Sequence, residues 1–132
     1  MFAGKARLAA WLKALAAGIA LVCLWWFQRF PEALEFHRDS ILSGQLWRIW
    51  TGHWVHANGV HLLLNGAVGL LLYWAFFRFL QTSELIVTGL VFSFLISGLF
   101  LLFMPELDWY NGLSGLLHAW IMYGSIRKIY DR

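Results

Sequence analysis

The chain has 132 residues, of which 61% are hydrophobic and only 13% are charged, and its mean hydropathy is +0.64. Soluble domains carry about 25% charged residues, so the composition excludes an ordinary soluble domain and indicates a membrane protein made of one unit, residues 1–132. The net charge of +3 does not indicate a nucleic-acid partner, because the basic residues lie at helix ends, where they set topology.

A first apolar run extends from Ala14 to Phe27 behind a basic head. It ends in Trp25 and Trp26, and no cleavage site of small residues follows it. We therefore expect a retained membrane helix whose tryptophan pair lies at the far interface. Cys23 is the one cysteine, so it cannot form an internal disulfide, and we expect it to be a small core residue.

The segment from Phe30 to Val55 is too polar to cross a bilayer, yet it is rich in aromatic residues. This pattern favours a loop that lies in the membrane interface after helix one. Within it, Asp39-Ser40 offers a cap for a short helix.

Three further apolar helices are predicted, from about Gly59 to Phe79, from about Leu85 to Met104 and from about Leu113 to Arg127, with a short turn at residues 81–84. The third helix carries small residues at four-residue spacing, a stripe that lets membrane helices pack closely: Gly89, Ser93 and Ser97. The predicted fold is an all-α membrane protein, a polytopic bundle with four transmembrane helices and an interfacial loop after helix one.

The fourth helix is short, because about 14 residues at 1.5 Å each span only about 21 Å of a hydrocarbon core of about 30 Å. If Arg127 and Lys128 mark one membrane surface, the start of this helix lies well inside the membrane, and the loop before it must be buried in protein or line a wet cavity. Gly112 and Gly115 would permit a tight entry. Ser114 is therefore expected at a helix N-terminus, below the surface.

The basic residues also predict the orientation. With four spans, one side carries seven of them and the other carries three: Lys5, Arg7, Lys13, Arg78, Arg127, Lys128 and Arg132 against Arg29, Arg38 and Arg48. This bias places both termini in the cytoplasm. The polar start of helix two and Ser114 then emerge together on the opposite side.

Helix two begins with polar residues that are costly in hydrocarbon, and these are functional candidates for that reason. His61 and Asn65 are four residues apart and share one helical face. A serine at a helix N-terminus that faces such donors is a candidate acyl-transfer site, in which Ser114 attacks a carbonyl and His61, Asn65 and backbone N–H groups hold the oxyanion. His118 lies one turn after Ser114 and could act as the general base or make an interhelical hydrogen bond.

Two other interpretations stay open on the residues alone. His53, His56 and His61 could bind a metal or a haem, since imidazole is a common ligand, although no acidic or cysteine partner completes a set nearby. Glycine and serine are also ordinary packing residues in membrane helices, so Ser114 could be structural.

Taken together, three ordered motifs resemble the rhomboid intramembrane serine proteases: Gln45-Leu46-Trp47-Arg48, His56-x4-His61-x3-Asn65 and Gly112-Leu113-Ser114-Gly115. Thr51-Gly52-His53 and His118 make the chain most similar to the rhombosortase branch of this family.

The resemblance implies a serine-type peptidase without cofactor or metal, in which Ser114 is the nucleophile and His61 and Asn65 form the oxyanion hole. His56 would line the same cavity, and Trp47-Arg48 would hold the interfacial loop. The substrates would be membrane-anchored proteins, in particular C-terminal Gly-Gly-type sorting tails, cleaved at the periplasmic face of a bacterial inner membrane.

Rhomboids have at least six spans, with the catalytic histidine on the sixth, so we expect this chain to contain helices 1–4 of an incomplete domain, which leaves open an inactive fragment. The alternative within the same fold is a non-catalytic rhomboid-like protein that binds transmembrane helices.

Overall fold

A computed structural model describes residues 11, 22–23, 25–76 and 80–130 of the chain, which are mostly helical. The predicted first helix, Ala14 to Phe27, lies largely outside the described residues. Cys23 is exposed, so its expected place in a core is wrong. The reason is that a thiol on an apolar helix suits an outward face as well as a core.

Short elements occupy the loop that follows: α1 (Pro31–Leu34), β1 (Phe36–His37), α2 (Arg38–Leu42) and α3 (Arg48–Thr51). The predicted cap at Asp39-Ser40 is wrong, because α2 begins at Arg38 and the His37 side chain accepts from the Ser40 N–H instead. Asp39 lies in the first turn, where its charge favours the helix dipole.

Arg48 holds this loop together from inside. Its side chain is only 7% exposed and donates to the carbonyl oxygens of Glu32 at 3.0 Å and Glu35 at 2.8 Å, and to the Gln45 side chain at 2.8 Å. The Trp47 indole donates to Ala33 O at 3.3 Å. Trp47 and Arg48 therefore do hold the loop, as the resemblance implies.

The expected all-α fold needs one correction. β1 pairs antiparallel with β2 (Trp109–Tyr110), with Phe36 opposite Tyr110. This two-residue pairing joins the first loop to the loop before the last helix. Beside it, the Arg38 guanidinium donates to four carbonyl oxygens at and beyond the end of α5 (Thr82–Phe103), where backbone acceptors lack helical partners: Phe100, Leu101, Met104 and Leu107.

The three long described helices are α4 (Gly59–Ala75), α5 and α6 (Ser114–Tyr130). Among the described residues, α5 is the one helix long and apolar enough to cross a membrane by length and composition, and α4 is apolar but has 17 residues. The turn predicted at residues 81–84 is wrong, because α5 already begins at Thr82, with Glu84 in its first turn. Four membrane helices stay a prediction.

The outward surfaces of α4 and α5 are covered with exposed large apolar side chains, far more than a soluble monomer exposes in one patch: Leu63, Leu70, Leu71 and Trp74 on α4, and Ile86, Leu90, Phe94, Leu95, Leu102 and Phe103 on α5. Such a surface suits contact with lipid chains.

The small-residue stripe of α5 is confirmed as its buried side. A Cβ on Gly89 would lie 3.1 Å from the Trp120 ring of α6, so only a very small residue allows this close crossing. On the same side, Ser97 Oγ donates to Ile49 O of α3 at 2.9 Å. The stripe therefore holds both α6 and the first loop.

Candidate active site

Ser114 is the first residue of α6, within one residue of the predicted start. The chain enters the helix through Gly112, whose φ of +113° is a conformation that favours glycine. The Gly112 N–H donates to Gly52 O at 3.1 Å, which ties this turn to the first loop. Because the helix dipole is positive at this end, the position favours negative charge that develops near Ser114.

The polar face of α4 meets the same turn. The Asn58 side chain caps α4 by accepting from the His61 N–H at 2.9 Å, which places His61 in the first turn and Asn65 one turn later. A Cβ on Gly112 would lie 2.5 Å from His61 Cε1 and 3.6 Å from Asn65 Nδ2. The glycine thus lets the turn that carries Ser114 lie directly against both side chains.

His56 stands next to His61, with ring centroids 5.1 Å apart in an edge-on arrangement. Its backbone N–H and its Nδ1 approach the Gln28 side-chain oxygen at 2.8 Å and 3.3 Å. Because that oxygen only accepts, Nδ1 carries the proton and Nε2 carries a lone pair in the neutral ring. Burial lowers the pKa of His56 to about 4, with a further contribution from His61, so the ring is neutral at pH 7.

Two polar atoms of this group have no hydrogen-bond partner although they are buried: Asn65 Nδ2 and His56 Nε2. Buried polar atoms are paired in the great majority of cases, and an unpaired one costs about 1–3 kcal/mol. Both residues line a cavity of about 710 Å³ whose wall is otherwise apolar and runs along α4 from Trp54 and Leu113 to Leu70. An apolar cavity with a few convergent polar groups is the usual form of a ligand site.

The Ser114 hydroxyl is bonded to another hydroxyl. Its Oγ lies 3.2 Å from the Tyr110 hydroxyl oxygen, and in the described part of the chain no histidine hydrogen-bonds it. His118 Nδ1 instead donates to the Ser114 carbonyl oxygen at 2.7 Å, on an exposed side of α6. The structure therefore places the His118 ring one turn from Ser114 but pairs it with the backbone, and its role as a base stays a prediction.

His53 lies apart from the cavity. It is fully buried, and its Nε2 pairs with Ser97 Oγ at 3.1 Å. Within residues 11, 22–23, 25–76 and 80–130, no three side chains among histidine, cysteine, aspartate and glutamate come together as a metal could require. The haem or metal interpretation thus gains no support from the described residues.

Sequence reasoning missed two residues of this site. Tyr110 was only one aromatic residue in a polar connection, and a two-residue strand leaves no periodic signal. Gln28 could have been noticed as an amide directly after an apolar run, where a polar side chain needs a partner. It donates to Trp54 O at 2.8 Å in addition to its contacts with His56.

Comparison with known families gives one result. A family model described as Rhomboid domain matches residues 43–132, about two-thirds of the chain, and this range contains each candidate residue from His56 to His118. No curated protein and no solved structure gives a significant match.

Proposed function

The chain belongs to the rhomboid family of membrane proteins, whose members are generally serine intramembrane peptidases, and we propose that it is a serine endopeptidase of the rhombosortase type with Ser114 as nucleophile. One observation carries the proposal. The turn that presents Ser114 lies against His61 and Asn65. Leu113 of this turn, Asn65 and His56 line a cavity in which Asn65 Nδ2 and His56 Nε2 have no hydrogen-bond partner, and Ser114 and His61 lie beside this cavity rather than in its wall.

In the proposed reaction, Ser114 Oγ forms a bond to the carbonyl carbon of the scissile peptide, and the π electrons of the carbonyl move to its oxygen. Asn65 Nδ2 and His61 stabilise that oxygen, and one such donor is worth about 10²–10³ in rate. The proton of Oγ passes to a base, which returns it to the leaving nitrogen as the C–N bond breaks. Water then hydrolyses the acyl-enzyme.

His118 is the base candidate that the chain offers. Its Nδ1–H donates to a carbonyl oxygen, so Nε2 holds the lone pair of the neutral ring. For proton transfer the ring must turn from the Ser114 carbonyl towards the Ser114 hydroxyl. His56 contributes to the cavity wall rather than to the nucleophile.

The proposed substrates are transmembrane segments or C-terminal Gly-Gly-type sorting tails of exported proteins, cleaved at the periplasmic side of a bacterial inner membrane. The shape and chemistry of the cavity support an apolar segment. Three small residues form part of its wall along α4: Gly66, Ala67 and Gly69. A Cβ on Gly66 would meet nothing within 4 Å, so the cavity has room for side chains of a bound segment.

The proposal is tested by labelling the purified protein with a fluorophosphonate. We expect covalent labelling that is abolished in Ser114→Ala and retained in Ser83→Ala, a matched control at an exposed serine in the first turn of α5. Labelling that survives Ser114→Ala would exclude Ser114 as the nucleophile.

A second function, binding of transmembrane helices without catalysis, is favoured by one observation: the Ser114 hydroxyl is paired with Tyr110 rather than with a histidine. It predicts that crosslinking to a transmembrane peptide is unchanged in Ser114→Ala, whereas a bulky residue at Ser93 or Ser97 abolishes it by separating α5 from its neighbours. Loss of crosslinking in Ser114→Ala alone would argue against this function.

A further inference from the structure

Tyr110 joins the turn, the helix start and the nucleophile at one oxygen atom. Its hydroxyl donates to Gly112 O at 2.9 Å and accepts from the Gly115 N–H at 3.1 Å. Its third contact is Ser114 Oγ at 3.2 Å. A phenol has one proton to donate, and Gly112 O receives it, so in the Ser114 pair the serine is the donor.

This arrangement fixes the direction of the Ser114 hydroxyl proton. The proton points to Tyr110, and the lone pairs of Oγ are therefore directed away from the phenol. The same phenol holds the Gly112 carbonyl, and Gly112 is the residue that lies against His61 and Asn65. One hydroxyl group thus controls both the orientation of the nucleophile and its position relative to the polar face of α4.

The phenol itself is held firmly. Tyr110 is in β2, opposite Phe36 of the first loop, and its ring packs against Phe100 with centroids 5.0 Å apart and against His53 with centroids 5.4 Å apart. His53 is fixed in turn by its bond to Ser97 Oγ. Reactive groups must be held close to productive geometry by supporting side chains, and Tyr110 has the anchoring that such a support requires.

We propose that Tyr110 is a positioning residue for Ser114: in the resting state its phenol oxygen accepts the serine proton, which directs the Oγ lone pairs away from the phenol, and its other two bonds hold the Gly112–Gly115 turn in place. This inference deepens the proposed peptidase function and rests on it for its kinetic consequence, whereas the hydrogen bond itself can be tested without any reaction.

The bond is tested first, by placing 3,5-difluorotyrosine at position 110 of the full chain and recording its ¹⁹F spectrum. Ser114→Ala removes the donor, so we expect the fluorine resonances to shift. Ser83→Ala is the matched control and should leave them in place. Resonances that do not respond to Ser114→Ala would overturn the inference, whether or not the protein is reactive.

The kinetic test compares Tyr110→Phe with Tyr73→Phe in fluorophosphonate labelling. Tyr73 is an exposed tyrosine on α4 and serves as the hydroxyl-deletion control. In Tyr110→Phe we expect the maximal labelling rate to fall roughly tenfold, as for one lost hydrogen bond in the transition state, with the half-saturating probe concentration unchanged. A rate equal to that of Tyr73→Phe would overturn the inference.

The two kinetic constants separate positioning from a purely structural role, because a variant with a disordered site would also raise the half-saturating probe concentration. If the unsubstituted protein is not labelled at Ser114, the proposed function fails while the fluorine result still decides the bond.

Discussion

Asn65→Leu should separate stability from activity in this protein. Asn65 is 6% exposed and its Nδ2 has no partner, so the folded state carries the cost of an unpaired donor, about 1–3 kcal/mol. Leucine removes this donor, and its additional volume can extend into the adjoining cavity of about 710 Å³. We expect the free energy of unfolding to stay level or to rise by about 1–2 kcal/mol.

Under the proposed mechanism, the same change should also remove an oxyanion donor. Loss of one such donor lowers the rate about 10²–10³-fold, which corresponds to about 2.7–4 kcal/mol of transition-state stabilisation. The opposite signs of the two effects identify a residue that is kept for its reaction rather than for packing. The assays are denaturant unfolding in detergent and the rate of fluorophosphonate labelling.

Asn111→Leu is the matched control for stability. Asn111 is also buried, at 9% exposed, but its Nδ2 donates to Glu35 Oε2 at 3.1 Å. Its replacement leaves the carboxylate without this donor and should lower the free energy of unfolding by about 1–3 kcal/mol. If Asn65→Leu destabilises the protein as Asn111→Leu does, or leaves labelling unchanged, the reasoning about Asn65 is refuted.

Three further predictions concern the scaffold around the site. Gly112→Ala should abolish labelling and cost about 2–4 kcal/mol of stability, because its Cβ would overlap the His61 ring in addition to backbone strain of about 1–3 kcal/mol. Gly44 has a similar φ of +103°, and nothing lies within 4 Å of the position that a Cβ would take there, so Gly44→Ala should cost the backbone strain alone. Equal losses of unfolding free energy in the two variants would contradict the steric argument. Arg38→Ala should lower the unfolding free energy by at least about 2 kcal/mol, since hydrogen bonds of charged donors contribute about 1.5–3 kcal/mol each; a change below 0.5 kcal/mol, typical of surface sites, would show that its carbonyl contacts are not structural. Burial lowers the pKa of His53, in the loop before α4, from 6.5 to about 4. As the pH falls, the unfolded state therefore binds a proton before the folded state does, and the free energy of unfolding should fall by up to about 3 kcal/mol between pH 6.5 and pH 4. A pH titration of unfolding in which His53→Gln keeps the same slope would rule out His53 as the origin.

The helical framework could be predicted because its signals are local. The apolar run predicted the start of α5 to within three residues and its end to within one residue. The small residues at four-residue spacing identified its buried side before any contact was known. Gly112 and Ser114 were placed correctly at the entry of α6, since glycines mark tight turns and the apolar run follows directly.

The contacts that assemble the site could not be predicted, because they join segments distant in sequence. The bond from Tyr110 to Ser114 spans only four positions, but the strand that carries Tyr110 is paired with Phe36, 74 positions earlier. Arg38 was counted as a topology charge, yet it binds carbonyl oxygens more than 60 positions away. Neither a two-residue strand nor a single arginine has a periodic pattern, so the sequence could suggest the site residues but not their support.

Among the described residues, three buried side-chain atoms have no hydrogen-bond partner: His53 Nδ1, away from the cavity, and His56 Nε2 and Asn65 Nδ2, in residues that line it. On α5, Ser93 Oγ donates to Gly89 O and Ser97 Oγ donates to Ile49 O, so these hydroxyls cost little inside the protein. At the cavity, Asn65 Nδ2 is a donor without an acceptor.

The second incomplete group, His56 Nε2, carries a lone pair without a donor when the ring is neutral. Unpaired groups are expensive where water is scarce, so a ligand that fits this cavity must offer an acceptor to Asn65 and a donor to His56. A peptide backbone offers both, a carbonyl oxygen and an N–H, on an otherwise apolar chain. The incomplete bonds at the cavity therefore favour a polypeptide substrate over a purely hydrocarbon ligand, independently of the identity of the base.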